Sequence, residues 1–355
     1  MKVIFLTQYF PPEVGAPQNR LFATAQALRK NGAEITVLTA MPNYPEMRVH
    51  DGYRGRWKVE EQRDGLRVLR SWIFVSTSRS IVARLLNYFS FVCSSLVVGL
   101  SSLKKSDVLF VESPPLFLGI TAMWLARAKG AKLVFNVSDL WPESAVQLGL
   151  VTNRTLIGLS SWLEMRCYRR SALITGQTQG IVADIQKRCP DKRVVWIPNG
   201  VDFSAMEAFE RDGSPVKNAA IPAGKLVFAY AGIMGHAQGL EVILRAAVRV
   251  KDADAHFLFI GAGPELARLK ALTAELRLTN VQFIDKMPRA DLVNMLRNVD
   301  GVVVPLKKNE LFKGAIPSKI FEALALSKPL LLGVEGEAKR LFIDDGQAGL
   351  AFAPE

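Results

Sequence analysis

Residues 318–322, SKIFE, bring together a hydroxyl, an ammonium and a carboxylate. Ser318 and Lys319 precede Glu322 by four and three residues, so on a helix all three share one face. Pro317, after Ile316, suits the first turn, where its missing N–H has no partner to lose. A lysine in that turn is opposed by the helix dipole, and a nearby anion would account for it. Free N–H groups with a lysine suit a diphosphate, and a carboxylate about a turn deeper suits a ribose diol. The same residues are compatible with a solvated lysine and a surface glutamate, and from these residues alone both readings stand open.

The elements that must hold this segment follow from hydrophobic patterning. Residues 320, 321 and 324 mark an inward helical face, and Lys328-Pro329 ends it before the apolar run 330–332. Upstream, short apolar runs alternate with helical segments: strands at 226–231, 256–260, 281–284 and 301–304, with helices between them. The loop 232–239, carrying Gly232, Met234 and Gly235, follows the first of these strands. Gly261-Ala262-Gly263 reads as a partial phosphate loop on the wrong strand of its unit. Asp252-Ala253-Asp254 has the form of a metal–diphosphate ligand, but its place before a strand predicts a solvated turn.

The first half repeats the pattern. Strands are expected at 3–7, 34–39, 108–111, 132–137, 173–175 and 194–197, and helices at 18–30, 117–129, 155–170 and 178–187. Gly15 lies in a turn-rich loop after the first strand, either to let backbone approach a ligand or merely to turn the chain. Glu112 and the cluster Asp139 to Glu143 stand at strand ends, where open α/β sheets bind ligands. Residues 42–80 read as polar and irregular, with arginines and aromatics interspersed: a mobile acceptor-side loop, or a hairpin around Asp64-Gly65. Such a mixture can bind single-stranded nucleic acid, but it matches no nucleic-acid module, and no nucleic-acid partner is expected. Residues 81–103 form the most apolar helical stretch. Asn87 and several serines argue against a spanning helix. Arg79, Arg84, Lys104 and Lys105 flank it, leaving an interfacial helix on anionic lipid or a core helix.

The chain of 355 residues is long for one core, with 49% hydrophobic residues and a formal charge of +12. A basic surface suits phosphorylated substrates or anionic lipid. Cys93, Cys167 and Cys189 have no metal or redox spacing and fit a reducing compartment. Residues 1–13 lack an h-region and cleavage site and read as a buried strand. There is no nucleophile elbow or P-loop, and no zinc-type cluster.

Two Rossmann-like halves, the turn Pro198-Asn199-Gly200-Val201-Asp202, the Gly232 loop and Glu322-Ala323 together resemble the GT-B glycosyltransferases of family 4. Asp139-Leu140-Trp141-Pro142-Glu143-Ser144-Ala145, Ala237-Gln238-Gly239-Leu240-Glu241 and Ile316-Pro317-Ser318-Lys319 are similar to a narrower branch. That branch makes bacterial surface polysaccharides and includes N-acetyl-L-fucosamine and fucose transferases. The resemblance implies an α/β GT-B fold with two doubly wound domains facing a central cleft: residues 1–202, a linker at 203–224, and a nucleotide-sugar domain at 225–355. Helices beyond Glu355 are usual in such proteins. It also implies a retaining, metal-independent transfer from a nucleotide-diphosphate sugar, UDP-linked, to a lipid-linked saccharide, with no cofactor. The enzyme would sit on the inner face of the plasma membrane. Carried over residue by residue, Gly15, Gly232, Met234, Gly235, Ile316, Pro317, Ser318, Lys319 and Glu322 bind donor, while Asp139, Glu143 and Glu112 serve catalysis.

Departures from the family pattern are specific. Ile233 and Gln238 stand where an arginine and a lysine are usual, Gly314 replaces the first of two paired glutamates, and Ser138 replaces a histidine. Lys313 or Lys319 is expected to supply the lost charge, and Glu310 to reach the sugar. An epimerase of the same fold and a non-catalytic nucleotide-sugar-binding subunit remain alternatives.

Overall fold

The computed structural model describes every residue except 14, 45, 79, 148–151, 202–220 and 355, and no side chain at 16, 81, 145, 147 or 311. Val14, Arg79, Asp202 and most of the expected linker therefore lie outside the described residues. The chain divides into two compact units, Met1–Pro198 and Asn199–Glu355.

In the first unit, β1 (Lys2–Leu6) leads through a loop to α1 (Ala16–Lys30) and β2 (Glu34–Ala40). The hairpin β3 (Lys58–Arg63) and β4 (Leu66–Ser71) precedes α2 (Ile81–Ser102) and β5 (Val108–Ser113). Then come α3 (Leu118–Lys129), β6 (Lys132–Val137), α4 (Glu143–Gln147) and α5 (Arg154–Arg170). β7 (Leu173–Gly176), α6 (Gln179–Arg188) and β8 (Val194–Trp196) complete it. The strand order is β3-β4-β2-β1-β5-β6-β7-β8, with only β3 antiparallel to its neighbour. The order reverses between β1 and β5, so the loops after those strands frame the ligand crevice of a doubly wound sheet.

Of the two alternatives for residues 42–80, a mobile loop or a hairpin around Asp64-Gly65, the structure has the hairpin. Asp64 and Gly65 both adopt positive φ, 50° and 79°, the geometry of a tight two-residue hairpin turn. β4 then pairs parallel with β2 and buries Leu66, Val68 and Leu69. Charge hid this strand: Arg70, fully buried, donates to Glu61 (2.9 Å), to the Ala40 carbonyl (3.1 Å) and to the Pro11 carbonyl.

α2 packs on β2, β4 and α3, with an unusual distribution of polarity. Its buried side includes Asn87, Ser94 and Ser95 beside Phe91, Val92 and Val98. Asn87 donates to the Phe74 carbonyl (2.6 Å) and accepts from Gln8 (2.8 Å), tying α2 to the end of β1. The interrupting polar residues are thus satisfied inside the protein. By length and hydropathy alone α2 is long and apolar enough to cross a membrane.

The second unit restarts the pattern with β9 (Leu226–Ala231), α7 (Glu241–Arg249), β10 (Ala255–Ile260), α8 (Leu266–Glu275) and β11 (Val281–Ile284). It continues through α9 (Arg289–Arg297), β12 (Gly301–Pro305), α10 (Lys319–Ala325), β13 (Leu330–Gly333), α11 (Glu337–Lys339) and β14 (Gly349–Ala351). The all-parallel order β11-β10-β9-β12-β13-β14 reverses beside β9. The loop after β9 is therefore the position from which this fold presents backbone to a nucleotide.

Candidate active site

The loop after β9 is locked to the loop after β10. The Met234 amide donates to the Ala262 carbonyl (2.9 Å), and the Glu265 amide donates to the Met234 carbonyl (3.0 Å). A Cβ on Gly261 would stand 2.2 Å from the Gly232 carbonyl oxygen, and one on Gly263 would stand 2.3 Å from that of Met234. Only glycine permits so close an approach of two backbones. This corrects the sequence reading of Gly261-Ala262-Gly263 as misplaced: it builds the floor under the Gly232 loop. The signal available was two close glycines at a strand end, but the partner loop lies some thirty residues away.

Met234 lies in the same loop but turns inward. Its side chain is fully buried among Tyr230, Leu240 and Ile243, and both of its peptide groups are engaged. It anchors the loop from within. Gly235 donates to Gln238 Oε1 (3.1 Å), so Gln238, standing where the family carries a cation, closes the loop on itself. Ile233 is exposed.

The Lys319 side chain lies against the Gly232 loop. Its Nζ lies 5.4 Å from the centre of the Tyr230 ring, over its face, and a Cβ on Gly232 would meet its Cε at 2.6 Å. Burial pulls its pKa below the usual lysine value, and the charge of Glu322 acts the other way. The ring gives a cation–π contact, but among the described residues no carboxylate lies within ion-pair distance of the ammonium. Gly232 has φ 137°, so a side chain there is strained and collides with the Lys319 stem. Gly232→Ala is expected to cost about 1–3 kcal/mol of stability and to weaken donor binding with it. Chemical denaturation reads the first; an unchanged midpoint would show that the loop relaxes freely.

Pro317 sits outside the first turn where it is expected, one residue before the cap. Ser318 is the N-cap of α10, and the ladder begins with Ile320 donating to Pro317 (3.1 Å) and Phe321 to Ser318 (3.2 Å). The amides of Ser318 and Lys319 precede that ladder, and Ile316 packs partly into the core beneath. Glu322, on the same short helix, is half-exposed and faces Arg289 at 3.5 Å. Lys313 pairs with Glu310 at 2.7 Å on an exposed turn, so these two expected substitutes satisfy one another.

In the first unit the strand ends carry a polar network. Glu112, buried, accepts from Arg20 (2.5 Å), Asn136 (2.5 Å) and Ser138. Arg20 also reaches Ser138 Oγ (2.8 Å), as does Gln177 (2.8 Å), and Thr175 donates to Asn136 (2.6 Å). Both Glu112 oxygens are occupied, so it first of all holds α1, β5 and β6 together; Arg20 was missed because it reads as one more charge on a helix. Asp139 is exposed as a residue, but its carboxyl is crowded enough that desolvation pushes its pKa up, against a hydrogen bond from Ser144 and the Leu140 amide. Glu143 opens α4 and is exposed. Gly15 caps α1 in extended geometry, its carbonyl accepting from Asn19 (3.0 Å).

Residues 15–200 match the family model described as a glycosyl transferase 4-like domain, and residues 216–355 match that of glycosyl transferases group 1. The chain is 25% identical over 350 residues to the putative colanic acid biosynthesis glycosyl transferase WcaI of Escherichia coli (strain K12), covering 94% of this chain and 84% of that one. Sucrose-phosphate synthase from Thermosynechococcus elongatus superposes with a TM-score of 0.69 at 14% identity, over 100% of this chain and 86% of its own. HepE from Anabaena in complex with UDP-glucose superposes with a TM-score of 0.65 at 14% identity, with the same coverage. These likenesses, together with two doubly wound sheets of the GT-B kind, place the chain in the glycosyl transferase 4-like family: it is a GT-B glycosyltransferase.

Proposed function

We propose that this glycosyltransferase moves a sugar, with retention of configuration and without a metal ion, from a UDP-linked donor to a lipid-linked saccharide in bacterial surface-polysaccharide assembly. The observation that carries the donor half is the desolvated Lys319 ammonium, which lies against Tyr230 and Gly232. A cation taken out of water without a carboxylate is costly, and a diphosphate supplies the missing charge. The solved HepE complexes with UDP and UDP-glucose support UDP as the carrier. The resemblance of Asp139 to Ala145 and of Ile316 to Lys319 to the fucosamine-transferase branch supports an N-acetylated deoxyhexose as the sugar.

In this reading Lys319 and the amides of Ser318 and Lys319 hold the phosphates, and the Gly232 loop passes beneath them. Glu322, released from Arg289, takes the ribose hydroxyls. Gly15, Asp139 and Glu143 belong to the sugar and acceptor. The C1–O bond to the diphosphate breaks as the acceptor oxygen bonds to C1 from the same face. The acceptor proton passes to the leaving phosphate oxygen, whose growing charge the lysine stabilises. The outer face of α2 and the basic flanks at Arg84, Lys104 and Lys105 support a peripheral place on an anionic membrane.

The test is a panel of nucleotide-sugars read by thermal shift, followed by NMR of the product made on a lipid-linked acceptor. UDP-sugars are expected to stabilise by mass action, and the product anomer to match the donor. Inversion would overturn the retaining step, and stabilisation by guanosine- or adenosine-linked sugars alone would overturn UDP.

A further inference from the structure

The helical layer of the first unit turns apolar residues outward. Along α2 the exposed positions include Val82, Leu86, Phe89, Cys93, Val97 and Leu100, spaced to form one stripe down a helix. Trp124 on α3 (62% exposed) and Leu159 and Trp162 on α5 (58% each) continue this surface. α2 contacts α3, and α3 contacts α5, so the three helices make one face, far larger than scattered exposed apolars require.

At the amino end of the sheet this face ends in a groove of about 550 Å³ between the last turns of α3 and α5 and the start of β6. Arg127, Lys132, Arg166 and Arg170 line it with Trp124. Among the described residues none of these four cations forms an ion pair, and Arg166 lies 5.7 Å from the Trp162 ring. These four exposed cations concentrate positive potential around one concavity, which draws an anion to it. An indole rim beside cations and an apolar ridge is the arrangement that a bilayer interface selects.

We propose that this groove seats the phosphate of an anionic glycerophospholipid, with the apolar face of α2, α3 and α5 entering the bilayer around it. Charge complementarity fixes the lipid class, and the adjoining apolar surface fixes a bilayer as its source. The site deepens the membrane reading given above and rests on it for its purpose. Its test needs neither donor nor acceptor, so either can fail alone.

The full chain is to be sedimented with vesicles of phosphatidylcholine, with and without 30 mol% phosphatidylglycerol. Expected are at least tenfold tighter binding to the anionic vesicles and a blue shift of tryptophan fluorescence. Arg127→Glu/Arg170→Glu is expected to lose that tenfold gain, and Trp124→Ala/Trp162→Ala the blue shift, with the unfolding midpoint unchanged. Lys251→Glu/Lys328→Glu, both in the second unit, changes the net charge equally outside this face and is expected to lose much less. Equal loss in both pairs would overturn a specific seat, as would millimolar inorganic phosphate displacing the vesicles. A dimer in sedimentation velocity that Trp124→Ala dissociates would assign the face to a second copy instead.

Discussion

Replacing Lys319 by methionine is expected to lower kcat/KM for the donor by about 10²- to 10³-fold while leaving the fold at least as stable. The stem that fills the space beneath Gly232 is kept, and only the charge is removed. A surface lysine would contribute well under 1 kcal/mol to such a site. This one is half-buried against the Tyr230 ring and the Gly232 loop, so its charge acts on the leaving phosphate in a poorly screened environment. Loss of one preorganised charge donor at that point is worth about 2.7–4 kcal/mol. The unbound enzyme carries that desolvated charge as a penalty, which is why stability is expected to rise or hold. Steady-state kinetics and urea denaturation read the two effects; an unchanged kcat/KM would remove Lys319 from the site.

The same residue sets a pH dependence with a defined sign. Its folded pKa is depressed by burial, so between that value and the unfolded lysine value the unfolded chain binds more protons. Stability therefore rises with pH across that window relative to Lys319→Met. Donor affinity moves the opposite way, because the neutral amine no longer attracts a diphosphate. Calorimetry in buffers of differing ionisation enthalpy is expected to show proton uptake on UDP binding at the alkaline end. No uptake would mean that the phosphates lie elsewhere.

What the sequence revealed, and what it hid, follows from the range of the interactions. Strands β9 and β11 fall where their apolar runs place them, because a buried parallel strand is a local hydrophobic signal. The helix Lys319–Ala325 was legible because its inward residues and its stop at Lys328-Pro329 lie within a few turns of each other. Gly261 and Gly263 were not, since their role is to let a second backbone approach, which no local pattern records. The burial of Met234 was not legible, because it sits in a loop after a strand end yet points into the core. The β4 strand was obscured by Arg67 and Arg70, whose charges are satisfied across the hairpin by Glu60 and Glu61. α2 buries Asn87, Ser94 and Ser95 among its inward apolar residues and turns a second apolar stripe outward, so its pattern read equally as a core or an interfacial helix.

Arg20→Met is the other substitution with a large expected effect, about 3–5 kcal/mol of lost stability. Arg20 and Glu112 lie 92 residues apart in sequence, with side chains only 15% and 5% exposed, and meet at 2.5 Å. Removing the guanidinium leaves Glu112 buried with Asn136 and Ser138 as donors but no counter-charge. Uncharged donors offset only part of that cost. Adding Glu112→Gln to Arg20→Met removes the stranded charge and retains an acceptor for Asn136, so the double variant is expected to be more stable than Arg20→Met alone. That sign distinguishes a charge pair from simple packing loss, since glutamine has the volume of glutamate and cannot fill space left by a shortened Arg20 side chain. A double variant no more stable than the single one would mean that the Arg20 stem, not its charge, holds the strand ends. The network also sets where β5 and β6 end and thus where Asp139 stands, so acceptor KM is expected to rise in Arg20→Met even at temperatures where it remains folded. If KM stays at the wild-type value there, the pair supports the fold without placing the acceptor.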